Sequence, residues 1–495
     1  MFDQADIDAL RTRDVSPGRL LIGGAWKDAR GGETLDSISP IDGRILTTIA
    51  DATEADVDDA VAAARAAFAD RRWSGQAPAA RKKILLRWAD LIEANALDLT
   101  VLGVRDNGTE IAMAAKAEVG SAVNTIRWYA EAIDKIYGEI APTADAALGL
   151  IHREPVGVIG AIVPWNFPLM IGTWKLAPTL AAGNSVVLKP AETASLTLLR
   201  ISELALEAGL PEGVLNVVTG RGAGCGQALS MSMDVDALVF TGSGATGRRL
   251  LEASAKSNLK RVYLELGGKS PNIVFDDVGD IGEAAKVSAA GIFRNSGQVC
   301  VAGSRLLVQR GVADDFVAAL SEAAARMRVG DPLDLATQSG AVNSEPQLTQ
   351  ILDFVAGAER EGARVTLGGS RIMQDTGGYY MAPTVIADVA PEHRLFRDEV
   401  FGPVLAVTTF EGEDEAVRLA NATDYGLAAG VWTQNLGRAH RMIRAVQAGV
   451  VHVNTYGGPD ITVPLGGVKQ SGNGHDKSLH AFDKYVDLKT AWIKL

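Results

Sequence analysis

Six short β-branched runs lie between residues 156 and 275: VGVIGAIV (156–163), SVVLK (185–189), VLNVV (214–218), DALVF (236–240), RVYLEL (261–266) and NIVF (272–275). Most are separated by helical stretches of about a dozen residues, the rhythm of repeated βαβ units around a parallel sheet. Gly183, after KLAPTLAA, and Gly209, after LRISELALEA, stand where helix C-terminal glycines belong, just before the next strand. The reading is an α/β fold.

Working outward, Thr53 and Asp56 form a capping-box pattern that opens an Ala-rich helix with Val57, Val61, Ala64 and Phe68 at helical spacing. A second helix carries Ile84, Leu85, Trp88 and Ile92 on one face, and a third runs from about Glu118 to Ile136. After Gly267 the βα rhythm resumes around Cys300, with SRLLVQ, ADDFVAALSEAAARM and VLAVTTF, and predicts a second α/β domain. Residues 137–154 and the tail YVDLKTAWIKL read as exposed strands without helices. Unpaired edges of that kind need a cover, which assigns these segments to oligomerisation.

With 495 residues the chain has room for two to four domains. Hydrophobic residues make up 47% and charged ones 22%, with 53 Gly against 18 Pro, which excludes disordered, collagen-like and coiled-coil classes. A net charge of −12 gives no electrostatic reason to seek nucleic acid or an anionic membrane. The apolar stretch between Glu154 and Lys175 is broken by Pro155, Pro164, Asn166 and Pro168, so it reads as buried core around a loop rather than a span. The start, MFDQADIDAL, is acidic where a signal peptide is basic, and a cytoplasmic location is expected. Two cysteines, Cys225 and Cys300, are too few for a disulfide framework. The six histidines show no ligand spacing and there is no CxxC, so no metal site is expected.

Gly242-x-Gly244-x-x-Gly247 follows DALVF and precedes a helix, the setting in which a glycine-rich turn seats a pyrophosphate; the same regex also occurs in ligand-free βα turns. A second cluster, Gly220, Gly222 and Gly224, follows NVV. Lys189 and Glu192 end the strand SVVLK, as a ribose-binding pair or as a solvated turn. A carboxylate there would repel a 2′-phosphate, which favours NAD over NADP. Cys300, in FRNSGQVCVAGS, is either an inert core thiol or a nucleophile. Glu265, among apolar neighbours before Gly267-Gly268, suits a general base if burial raises its pKa, and a structural salt bridge otherwise.

These elements coincide with PWNFP (164–168), KPAE (189–192), FTGSGATG (240–247), LELGGKSPNIVF (264–275), NSGQVC (295–300), EVFGPV (399–404) and PLGGVKQSGNG (464–474). In this order and spacing they resemble the NAD(P)-dependent aldehyde dehydrogenase superfamily over nearly the whole chain. TIRWYAEAIDKIYGE (125–139), REPVGVIGAIVPWNFP (153–168) and GNGHDKSLHAFDKY (472–485) are similar to the γ-glutamyl-γ-aminobutyraldehyde dehydrogenases of polyamine breakdown.

The resemblance implies a Rossmann-type cofactor domain (residues 1–133 and 155–266), an α/β catalytic domain (267–470) and a small β oligomerisation arm (134–154 and 471–495). It makes Cys300 the nucleophile, Glu265 the base that activates the deacylating water and Asn166 an oxyanion donor with the Cys300 N–H, and it adds Lys175 to the catalytic set. It gives Lys189 and Glu192 to the adenosine ribose, Ser243 to the pyrophosphate and Glu399, beside Phe401, to the nicotinamide ribose. Trp165, Gly222, Gly242 and Leu266 complete that pocket. Phe167, Met170 and Trp174 lie where relatives line a substrate tunnel.

Two departures stand out. Leu465 replaces a usual Phe, removing an aromatic wall, and Gly474-His475-Asp476 replaces Gly-Arg-Glu, which leaves the proton-relay role of Asp476 open. Asp460 and Glu118 are candidate mouth carboxylates for a substrate ammonium, or ordinary surface charges. The expected activity is NAD-dependent oxidation of a linear aldehyde with a polar end, such as γ-glutamyl-γ-aminobutyraldehyde or 4-aminobutyraldehyde, with NADP also possible. The expected assembly is a homodimer or homotetramer. The alternatives are a broad-range aliphatic or aromatic aldehyde dehydrogenase and, from another class, a non-catalytic NAD-binding protein that kept the fold.

Overall fold

The structure, a computed structural model, describes residues 2–458 and 460–495. Of the six β-branched runs that opened the sequence reading, the sixth, NIVF, lies in a second sheet, and the other five form the core of an eight-stranded sheet. Its parallel strands lie in the order Leu215–Val217, Ser185–Lys189, Val158–Ile162, Ala237–Thr241, Arg261–Glu265. In chain order that is 3-2-1-4-5, the doubly wound arrangement, with its switch point between Val158–Ile162 and Ala237–Thr241. Antiparallel strands close both edges: Leu20–Ile22 with Ala25–Lys27 on one side, and the short Gly472–Asn473 strand on the other.

The helix Pro168–Ala182 follows the first parallel strand and is buried along its length except at Met170 and Ala182. It ends at Gly183, whose φ of 98° is the left-handed cap expected there. Gly209, at φ 99°, closes the helix Leu196–Glu207 in the same way. The Thr53–Asp56 capping box is present on the helix Glu54–Ala69. Leu85, Trp88 and Ile92 face inward from the helix Pro78–Ala94, and the Trp88 indole N–H donates to the Ile201 carbonyl at 2.8 Å. The predicted third helix is a π-helical turn, Ala114–Gly120, that runs into the α-helix Ser121–Ala132. Before Thr53, in addition to Leu20–Ile22 and Ala25–Lys27, the strands Thr34–Ile38 and Ile45–Ala50 pair as a separate ribbon.

Beyond residue 270 a seven-stranded sheet runs Arg364–Leu367, Thr384–Ala387, Val404–Phe410, Arg305–Gln309, Pro271–Val274, Ala428–Trp432, Val450–Val453. It is parallel except at its first pair. A third, antiparallel sheet pairs Val486–Lys494 with Ala147–Pro155, and Ala147–Pro155 with Glu139–Ala141. Its apolar side chains Ile140, Leu488, Trp492 and Ile493 are exposed. The tail is divided between layers: Gly472–Asn473 belongs to the first sheet, and Ala481, Phe482 and Tyr485 pack into the first core. No helix among the described residues is long and apolar enough to cross a membrane.

Trp88 fills the first core and satisfies a carbonyl at once. Trp88→Ala should therefore lower the free energy of unfolding by about 3–5 kcal/mol, measured by denaturant titration.

Candidate active site

Ligands of open α/β sheets bind beyond the carboxyl ends of the strands, at the switch point. Four sequence-predicted groups stand there on adjacent strands. Trp165 and Asn166 follow Val158–Ile162, Gly242 and Ser243 follow Ala237–Thr241, Lys189 ends its strand, and Glu265 ends Arg261–Glu265. The Gly242 N–H donates to the Glu265 carbonyl at 3.1 Å, so the glycine-rich turn and the carboxylate strand are locked together.

In that turn Gly242 and Gly247 have packing reasons to be glycine. A Cβ on Gly242 would lie 2.4 Å from the Phe240 ring, and one on Gly247 3.0 Å from Leu266. Ser243 caps the helix Gly244–Lys256, its Oγ accepting the Thr246 N–H at 3.3 Å. The second cluster differs. A Cβ at Gly224 would meet nothing within 4 Å, and one at Gly222 only a Glu192 oxygen at 3.9 Å. The protein's own packing does not demand glycine there, as fits a surface kept low for a ligand's close approach. Lys189 is buried, donating to the Pro190 carbonyl and to Glu192 at 3.2 Å, while Glu192 also accepts the Gly222 N–H at 3.0 Å. Burial pushes the Glu192 pKa up, but Lys189 and the backbone donors outweigh it and hold the group below its usual value. An ionised, half-exposed carboxylate beside open glycines fits a ribose diol.

The loop before Cys300 is wound into an unusual shape. Asn295 and Ser296 both sit at φ 50°, and Gly297 at φ 70°. Left-handed non-glycine residues concentrate at functional sites because surrounding contacts must hold them. Here Thr109 Oγ1 donates to the Asn295 side chain at 2.8 Å, Glu110 accepts the Asn295 N–H, and Ser296 Oγ donates to the Gly340 carbonyl at 2.7 Å. Gln298 accepts the Asn343 N–H at 2.8 Å. The Asn166 Nδ2 donates to the Gln298 carbonyl at 2.9 Å, which fixes the amide beside the Cys300 loop with one N–H to spare. Asn295, Gln298, Thr109 and Glu110 escaped the sequence reading as site residues, although two of them stand inside the quoted NSGQVC.

Other close contacts finish the assembly. A Cβ on Gly268 would lie 2.7 Å from the Cys300 carbonyl, one on Gly267 1.9 Å from a Glu399 oxygen, and one on Gly297 2.1 Å from the Gly402 carbonyl. Glu399 accepts the Gly268 N–H at 2.9 Å. Phe401, at φ 56°, meets Trp165 edge to face at 5.2 Å. Thus Trp165, Asn166, Cys300, Glu399 and Phe401 converge. Phe167, Met170, Trp174 and Leu465 belong to one apolar cluster that also takes in Val299 and Val301, the neighbours of Cys300, and Ile461.

Electrostatics sort the two thiols and the carboxyls. Cys225 is fully buried, its pKa pushed up to about 11 by burial. Cys300 is partly exposed; burial of its sulfur, then Glu399 and Glu265, push its thiol up to about 12, against the favourable N–H groups of Val301 and Cys300 itself. Burial raises Glu399 to about 7. Glu265 is raised well above the carboxylate range by burial and by Asp476, opposed by Lys175 and Lys484, and its Oε1 has no hydrogen-bond partner in the protein. Asp476, whose proton-relay role the sequence left open, is buried and paired with both Lys175 and Lys484.

One expectation is overturned. Glu118 is not a mouth carboxylate but a buried one, accepting the Met170 N–H at 2.6 Å at the N-terminus of Pro168–Ala182, with burial raising its pKa to about 8. Asp460 is exposed, and its carboxylate accepts the Thr462 N–H at 2.9 Å.

A family model described as "Aldehyde dehydrogenase family" matches residues 26–491. The chain is 50% identical over 477 residues to the NADP/NAD-dependent aldehyde dehydrogenase PuuC of Escherichia coli K12, covering 96% of each. Among solved structures, the γ-glutamyl-γ-aminobutyraldehyde dehydrogenase of Burkholderia cenocepacia J2315 superposes with a TM-score of 0.98 at 49% identity, covering 100% of both chains. A variant of the P. syringae indole-3-acetaldehyde dehydrogenase AldA, in complex with NAD+ and IAA, does so with the same score, identity and coverage.

Because Glu399 opposes ionisation of Cys300, Glu399→Gln should speed alkylation of Cys300 by iodoacetamide about threefold or more at pH 7–8, read by peptide mass in a Cys225→Ser background.

Proposed function

Since the chain belongs to the aldehyde dehydrogenase family, we propose that it uses NAD to oxidise an aldehyde to a carboxylic acid through a covalent intermediate on Cys300. The observation that carries this reading is the convergence of Cys300, held in its left-handed loop, with the spare Asn166 N–H and the unpartnered Glu265 oxygen. A non-catalytic protein would have no use for that expensive grouping of buried charge.

Lys189, Glu192, Gly222, Gly242, Ser243, Leu266, Glu399, Phe401 and Trp165 are the residues that would hold the dinucleotide, and the nicotinamide supplies the hydride acceptor. The Cys300 thiol releases its proton to solvent, and the thiolate attacks the aldehyde carbon and yields a tetrahedral thiohemiacetal. Its oxyanion is stabilised by Asn166 Nδ2 and the Cys300 N–H; one such donor is worth roughly 3–4 kcal/mol. After oxidation a thioester remains on the sulfur. Glu265 then takes a proton from water through its free oxygen, the water attacks the thioester carbon, and the acid departs as Cys300 is restored. Glu192 supports a preference for NAD, since its carboxylate would face the extra phosphate of NADP. The E. coli relative carries both cofactors in its name.

The substrate reading is a linear aldehyde with a polar far end, γ-glutamyl-γ-aminobutyraldehyde or 4-aminobutyraldehyde, and the named B. cenocepacia neighbour supports it. The apolar cluster that includes Phe167, Trp174 and Leu465 suits a methylene chain. Lys477 stands 5.7 Å from the Trp174 ring, so the polar end reaches beyond it towards Asp460 or brings its own carboxylate. A broad range that includes aromatic aldehydes is the second reading, favoured by the P. syringae neighbour and by Leu465 in place of a larger ring. The exposed apolar residues of the antiparallel arm support a homodimer or homotetramer in which a partner covers Ile140, Leu488 and Trp492. Domain roles follow the sheets: residues 1–133 and 155–266 for cofactor, 267–470 for catalysis, 134–154 and 471–495 chiefly for assembly. A cytoplasmic location completes the proposal.

Cys300→Ala should abolish NADH formation while NAD still binds, read by absorbance and calorimetry. Glu265→Gln should give a burst of NADH followed by slow turnover, in stopped flow. Retained steady turnover in either variant contradicts the mechanism. Comparing kcat/KM for γ-glutamyl-γ-aminobutyraldehyde, 4-aminobutyraldehyde, hexanal and benzaldehyde should rank the amino-substituted aldehydes first, with salt weakening their advantage; benzaldehyde ahead and no salt effect supports the broad reading. Deletion of residues 486–495 should lower the oligomeric state on size exclusion.

A further inference from the structure

Lys484 ends the short helical turn Leu479–Lys484 in the tail, far along the chain from Glu265, and is buried. Its backbone is fixed by its neighbour: the Tyr485 carbonyl accepts the Asn184 side chain at 2.9 Å and the Val156 N–H at 3.3 Å. Its stem runs past Gly474, where a Cβ would come within 3.5 Å of it. Its ammonium meets one oxygen of Asp476, and Lys175 meets the other. The tail strand sets Gly472 opposite Glu265, Gly474 lies between Lys484 and Tyr263 of the Glu265 strand, and Asp476, Lys175 and Lys484 all act electrostatically on the Glu265 carboxylate.

We propose that Lys484 is a positioning residue for the water-activating carboxylate: with Lys175, Asp476 and Glu265 it completes a buried set of two cations and two anions that offsets part of the cost of ionising Glu265. The inference rests on the reading of Glu265 as the base. With Lys175 alone, an ionised Asp476 and an ionised Glu265 would leave the buried set at −1, and low-dielectric surroundings resolve such an excess by protonating a carboxyl. Asp476, paired on both oxygens, keeps its charge, so the proton falls on Glu265. With Lys484 present the set is neutral before Glu265 takes the proton from water and +1 after it.

The other groups around the set do not replace that charge. Tyr129, from the helix Ser121–Ala132, and Tyr485 are both pushed well above neutral pH by burial and by Asp476, so they stay uncharged. Tyr263 shares the strand of Glu265, and Cys300 faces it from its loop with its thiol pushed up to about 12. Lys477, beside Asp476 in sequence, lies 5.7 Å from the Trp174 ring and is acted on by Asp460 as well as Asp476.

The test acetylates Cys300 with p-nitrophenyl acetate and follows loss of the acetyl group by intact mass from pH 5 to 9, without cofactor. Wild type, Lys484→Met, Asp476→Asn, the Asp476→Asn/Lys484→Met double variant and Glu265→Gln are compared. Removing Lys484 should move the midpoint of the pH profile up by about one unit or more, roughly a tenfold slower hydrolysis below it, both in the wild-type background and in the Asp476→Asn background. In the second background no salt bridge is broken, so that pair decides if Lys484→Met does not fold. A midpoint that stays within about 0.3 units, or falls, in any background that folds overturns the proposal, because a merely structural lysine changes the rate without moving the profile. Glu265→Gln separates the two claims. It should hydrolyse slowly at every pH; if it keeps the wild-type profile, the base assignment fails, whereas a flat Glu265→Gln profile with an unmoved Lys484→Met midpoint defeats Lys484 alone.

Discussion

The site depends on five residues, 266–270, that carry the chain from the last parallel strand of the first sheet to the first strand of the second. Glu265 stands at the start of this passage, and Gly267 and Gly268 form its middle. Because these two carry no Cβ, Glu399 can close to Gly267 and the Cys300 carbonyl can close to Gly268. At its end the Lys269 carbonyl accepts the buried Arg305 Nε at 2.7 Å, which ties the passage to the second sheet. Cys300 from one sheet's side and Glu265 from the other, the proposed nucleophile and base, therefore meet at a backbone too thin to hold them apart. Any side chain larger than hydrogen at residue 267 would displace the Glu399 carboxylate and with it the Gly268 N–H contact.

The same passage concentrates charge where water is scarce. Cys300, Glu265 and Glu399 all have their ionised forms disfavoured by burial, and each worsens the position of the thiol. Groups whose charge is disfavoured in this way react more readily when the surroundings offer compensation at the moment charge develops. Backbone N–H groups at Val301 and Cys300 favour the thiolate, and the two lysines around Asp476 favour the Glu265 carboxylate. The tail reaches this region through the two-residue strand that sets Gly472 beside Glu265. Deep polar placement costs stability, which the large apolar core around the helix Pro168–Ala182 offsets.

Much of this was legible in the sequence. The parallel sheet followed from β-branched runs, and the cap glycines Gly183 and Gly209 from their place after helical stretches, because local propensity and tertiary structure agree there. Cys300, Glu265 and Asn166 were singled out through motifs, whereas spacing alone left Cys300 and Glu265 each with a bland alternative. Glu118 misled because a lone carboxylate in an amphipathic helix looks solvated; only tertiary packing reveals that it caps a helix whose N-terminus lies against it. Lys484 gave no signal either, since a Lys followed by an apolar residue near a chain end reads as surface. The left-handed turn of Asn295 and Ser296 was hidden for a similar reason: its support comes from Thr109, Glu110 and Gly340, residues distant in sequence.

The central claim is that an acyl group passes through the Cys300 sulfur and that water, activated by Glu265, removes it. The most direct measurement is acid-quenched peptide mapping of the Glu265→Gln protein after mixing with NAD and hexanal. A hexanoyl mass increment confined to the peptide that contains Cys300, formed in step with NADH, is the predicted result. NADH formed without any adduct on that peptide, or an adduct on Cys225 instead, would contradict the account.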